Sequence, residues 1–71
     1  MSYRVKYRHP VTGNVYYFVD YRRSDSGALR PVGCMALHIQ KAMIFETERD
    51  AMPVAVDLAW NGYRSVKVVK T

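Results

Sequence analysis

Cysteine is nearly missing from this chain: Cys34 stands alone, so no internal disulfide can staple the fold. Long apolar runs are missing as well. Arg4, Lys6 and Arg8 interrupt the stretch after Met1, which therefore does not read as a signal peptide. Nowhere do about 18 apolar residues follow one another, the length a membrane-crossing helix requires. These absences lead to the expectation of a cytoplasmic protein with no membrane partner. The four glycines are isolated, and none belongs to a phosphate-cradling loop. Soft metal ligands are few: His9, His38 and Cys34, where a zinc site takes about four. Cys34 and His38 would stand about 13 Å apart on an extended strand, too far to share one ion. No metal and no cofactor is expected.

Catalytic constellations are equally scarce. Cys34 and a histidine lack the spacing and the oxyanion loop of a nucleophilic pair. Glu46, Glu48 and Asp50 crowd a helix start, where capping explains them. A chain of 71 residues leaves little room for a deep cleft of about 300 Å³ beside an intact core. The expectation is one small domain, residues 1–71, that is not an enzyme. What the chain does have is positive charge: eleven Lys and Arg against six Asp and Glu, a net +5. Such an excess favours acidic partners without naming one.

Residues 3–8, YRVKYR, alternate Tyr3, Val5 and Tyr7 with Arg4, Lys6 and Arg8, the period of a half-buried strand. Pro10, Gly13 and Asn14 mark a turn, and VYYFVDY (15–21) reads as a second strand, giving a hairpin over 3–21. Residues 22–33, with two glycines, a proline and three arginines, read as a long loop. Residues 34–45 favour a third strand by the parity of Met35, Leu37, Ile39, Met43 and Phe45, although the composition also suits a helix. A helix is expected over 48–61, where Ala51, Val54, Ala55, Leu58 and Ala59 recur at helical spacing. Thr47 suits its N-cap but would leave Pro53 in the second turn, so a loose turn at 47–50 and a regular helix from Asp50 are expected. Met52 and Trp60 lie near that stripe without completing it; Trp60 exposed beside Met52 would be an interface anchor.

Gly62 ends the helix, and residues 63–70 form the last strand. The order β-β-β-α-β predicts an α+β domain, one helix packed on a mainly antiparallel four-stranded sheet. Were the third and fourth strands neighbours, their crossover would be parallel and right-handed.

The candidate site is the hairpin with the segment that follows. Residues 2–23 hold five of the six tyrosines and five of the eleven basic residues. An odd-length turn with Arg8 opposite Asn14 would gather Arg4, Lys6, Arg8, Tyr16 and Phe18 on one outer face. Val5, Tyr7, Val15, Tyr17 and Val19 would then face the core. A one-residue slip exchanges the second strand's two sets, and the turn does not fix which applies. In the first register Tyr16 and Phe18 stand among cations, as on surfaces that stack bases and bind phosphates. Cation–π contact and cross-strand aromatic pairing explain the same residues structurally. Arg22, Arg23 and Arg30 add forked donors for carboxylate or phosphate. The expected partner is a protein or a single-stranded nucleic acid, and two sheet edges leave a homodimer by strand pairing open.

The ending AMIFETERDAMPVAVDLAWNGYRSVKVVK resembles the closing strand–helix–strand of many small bacteriophage-encoded accessory proteins. Phe45, Thr47, Ala51, Gly62, Tyr63, Val66 and Val68 match that pattern. The resemblance covers residues 43–69 and carries over no functional residue. It implies a viral protein in the host cytoplasm that binds a host macromolecule, with a protein target favoured, and inhibits or redirects it. The +5 charge excludes acidic mimicry of nucleic acid.

Overall fold

The computed structural model describes residues 2–71. Strands β1 (Tyr3–Arg8) and β2 (Val15–Arg23) form the first hairpin, and β3 (Leu29–Cys34) folds back on β2. A 3-10 turn (Ala36–Lys41) leads to helix α1 (Glu48–Trp60), and β4 (Arg64–Lys70) follows. The sheet order is β3-β2-β1-β4, with every pairing antiparallel. The chain therefore has the α+β architecture expected of it, one helix on a four-stranded sheet. Its last strand returns beside β1, so there is no parallel crossover with β3.

The first turn decides the register. His9 N–H bonds Asn14 O, and Gly13 N–H bonds His9 O, both at 2.9 Å. The His9 ring atom Nδ1 accepts from the N–H groups of Val11 and Thr12 at 3.1 and 3.3 Å, drawing the loop over its own first residue. Gly13 supplies the left-handed step at φ +75°. A turn closed between His9 and Asn14 puts Arg8 opposite Val15, Tyr7 opposite Tyr16 and Lys6 opposite Tyr17. This lies one residue away from pairing Arg8 with Asn14. Tyr16 and Phe18 consequently share the face of Val5 and Tyr7, while Val15 and Tyr17 share that of Lys6 and Arg8.

Helix α1 covers the face that carries Val5, Tyr7 and Phe18. Ala51, Ala55 and Leu58 recur at i, i+4 and i+7 and complete the buried core with those three. The two alanines let the helix lie close to the sheet. Phe45, Tyr63, Val66 and Val68 border this core, half-buried, and the Tyr7 ring meets Tyr63 edge-on at 5.0 Å. The helix begins at Glu48, two residues before the expected regular start. Thr47 is extended and its Oγ1 accepts from Asp50 N–H at 3.1 Å, so the cap wins over the proline. Pro53 sits inside the helix on its exposed side, where the Arg49 carbonyl that loses its usual bond is open to water. At the other end Gly62, φ +92°, lets Tyr63 N–H reach back to Leu58 O at 3.1 Å.

Two expected segments take other forms. Residues 22–33 are no long loop: β2 continues through Arg23, β3 begins at Leu29, and only a tight turn separates them. Ser24 N–H bonds Ala28 O at 2.8 Å across that turn, and Gly27 is left-handed at φ +86°. Pro31 is accommodated because β3 is an edge strand. Residues 34–45 are no strand either, apart from Cys34. The 3-10 turn packs on β2 and β3, after which the chain passes between β2 and the start of β1. Met43 N–H bonds Phe18 O at 2.9 Å, and Tyr3 and Phe45 exchange bonds of 2.8 and 2.9 Å. The β1–β2 pairing ends at Lys6 and Tyr17, and this segment lies beyond it, next to the bulge between Phe18 and Asp20. Among the described residues, no helix is long and apolar enough to cross a membrane.

Candidate binding face

The sheet face turned away from α1 is built from ladder partners, which share a side. Arg4 stands with Val69, Lys6 with Lys67 and Tyr17, Arg8 with Arg64 and Val15, and Tyr17 with Cys34. Beyond the bulge, Asp20 opposite Val32 and Arg22 opposite Arg30 continue this face. Their side is fixed by Tyr21, which turns to the helix and donates its hydroxyl to Asp57 Oδ2 at 2.8 Å. Burial, and then this bond, push the Tyr21 phenol up to about 12.

Three times the ladder sets cation against cation: Arg8 and Arg64, Lys6 and Lys67, Arg22 and Arg30. Like charges directly opposite one another destabilise a sheet, each pair by a few tenths to about 1 kcal/mol. Asp20 is the acid on this face among the described residues, and its Oδ1 already accepts from Tyr21 N–H at 2.7 Å. Arg4 adds a further strain, because its Nε–H is shielded from solvent and has no acceptor among the described residues. Between β2, β3 and the 3-10 turn lies an open hollow of about 410 Å³, with Arg22, His38 and Lys41 around Tyr16, Val19, Val32 and Cys34. Three nitrogen donors over an apolar floor suit a carboxylate carried on an apolar body.

Arg4, Lys6 and Arg8 thus share one face, and Arg22 and Arg30, expected in a loop, join them there as strand residues. Arg23 does not: it stands opposite Leu29 on the other side. Tyr16 and Phe18 also face the other way. Phe18 is 1% exposed at the centre of the core, and Tyr16 is half-buried with its ring 6.0 Å from that of Tyr7. No stacking platform of these two rings exists, because the even-length turn rotates both inward. The ring on the cationic face is Tyr17, half-buried beside Lys6.

Lys67 and Arg64 belong to the face and were missed, although the alternation RSVKVVK carries the signal for Lys67. Nothing in the sequence marks Lys41 and His38, which reach the hollow through the 3-10 turn. Among the described residues, no three His, Cys, Asp or Glu side chains stand close enough to hold a metal. No protein-family model, curated protein or solved structure matches the chain.

Proposed function

We propose that this is a non-enzymatic binding protein that lays its cationic sheet face on an acidic surface of another protein, inhibiting or redirecting it. The resemblance of residues 43–69 to bacteriophage accessory proteins makes a host protein the target. The three opposed cation pairs carry this reading. The fold gains nothing from them, and an acidic partner relieves all three at once. Val15, Tyr17, Val32 and Val69 lie between the cations and supply the apolar contact a protein surface offers. Single-stranded nucleic acid is the weaker reading, since the core-facing Phe18 and Tyr16 take away its stacking rings.

The double variant Arg30→Glu/Lys67→Glu separates binding from folding. Each change turns a like-charged pair into an opposite one, so the melting temperature is expected to hold or rise. Recovery of a partner from bacterial lysate is expected to fall at least about tenfold, the loss that 1.4 kcal/mol brings. Equal recovery by both proteins would sink the proposal. So would tight binding of mixed oligonucleotides by the wild type with a straight log–log dependence on salt, the signature of released counterions.

A further inference from the structure

The exposed side of α1 carries an apolar seam that the cationic face does not explain. Met52, Val56 and Trp60 are 45, 58 and 89% exposed, and with Arg49, Pro53 and Asp57 they line a shallow groove along the helix. An indole open to water on nearly all its surface is costly unless something covers it. Arg49, Pro53, Val56 and Trp60 follow one another at steps of four, three and four residues, the spacing of a helix–helix seam.

We propose that this seam docks on the same seam of a second copy of the chain, the two helices antiparallel about a twofold axis. The seam complements itself in that arrangement. An axis passing between Pro53 and Val56 sets Arg49 against Trp60 of the second copy at both ends, and Pro53 against Val56 twice at the centre. A guanidinium over an indole face is attractive, by about 0.5–1 kcal/mol when exposed and about 2 when desolvated. A parallel pairing would instead set Arg49 against Arg49.

Charge over the whole molecule favours the same approach. Residues 46–60 hold Glu46, Glu48, Asp50 and Asp57 against Arg49 alone, so four of the six acids lie in the helix or just before it. Two copies of net charge +5 meet here with less repulsion than across their sheets. The sheet edges are poorer routes to a dimer. Arg30 and Pro31 blunt β3, and Lys67 and Lys70 blunt β4. From Arg49 to Trp60 the seam runs only about 16 Å. The contact is accordingly smaller than a standard interface of about 800 Å² per partner, and the dimer is weak and reversible, with Kd roughly 10–500 μM.

Trp60 is the sole tryptophan, so its fluorescence reports on the seam alone. Sedimentation equilibrium and tryptophan emission are measured together from about 1 μM to 1 mM, the span that brackets this Kd. The expected result is a dimer mass and a blue shift of emission rising over the same concentrations. Val56→Asp, at an exposed position, abolishes both while leaving the melting temperature in place. Arg49→Glu weakens association by about tenfold, the cost of losing two exposed cation–π contacts. A monomer throughout with unshifted emission overturns the proposal. So does a dimer that Val56→Asp leaves intact, since its contact would lie elsewhere, or growth past the dimer, which a twofold seam forbids.

Discussion

Gly33 is where β3 approaches the core most closely. A Cβ built there would fall on the Tyr7 hydroxyl and lie 2.9 Å from Tyr16 Cβ. Tyr7 is 3% exposed, and Tyr16 Cβ is fixed to the neighbouring strand. Gly33→Ala is therefore expected to lower stability by about 1–3 kcal/mol, the usual cost of overpacking, read from the urea midpoint. An unchanged midpoint would mean that the Tyr7 ring moves freely. In the sequence Gly33 passes for the glycine at a loop's end, because its meaning depends on what lies across the sheet. The same limit hid the hairpin register. Pro10, Gly13 and Asn14 announce a turn, but the ring nitrogen of His9 bonding Val11 and Thr12 closes it at an even length. One residue in that closure decides whether Phe18 is a ligand-stacking ring or the centre of the core.

Among the elements, those with a buried face were legible. β1, the helix and β4 each repeat their apolar residues with the period of their own geometry, and each packs against the core cluster. β3 and the 3-10 turn were not legible, because neither puts a large side chain into that core. β3 is an edge strand of mixed Arg, Pro and Gly, and Leu37 in the turn is 84% exposed, so alternation there marks no interior. The helix start shows two local rules in conflict, and a substitution can weigh them. If Thr47 caps the helix, Thr47→Ala leaves the Asp50 N–H without its acceptor and costs about 1 kcal/mol. A thermal melt reads this directly. Had the helix begun at Asp50, the change would cost nothing.

For the whole molecule, the clearest handle is alkaline pH. Burial, with Tyr63 and Tyr16 close by, pushes Tyr7 up to about 12, and burial together with the Asp57 bond raises Tyr21 to about the same value. Both phenols are neutral in the fold and ionise more readily when unfolded, near 10. Their stabilising contribution is thus complete below pH 10 and is lost as pH climbs from 10 towards 12. For the buried Tyr7 the loss is on the order of 2–3 kcal/mol, with a smaller share from the more open Tyr21. Urea midpoints are expected to fall across that window, with phenolate absorbance rising alongside unfolding. A flat profile to pH 12 would contradict the packing around Tyr7.

The strand order also sets a timetable. β1 lies between β2 and β4, and Thr71 N–H bonds Ser2 O at 2.9 Å, so the earliest strand and the latest are neighbours. As the chain is synthesised, β1 emerges ahead of the strands it pairs with, and one of its two ladders cannot form until β4 has left the ribosome. Even the hairpin partner covers only half of β1, and the other half waits for Phe45. Val5, fully buried in the finished protein, has no lasting cover until nearly every other residue has arrived.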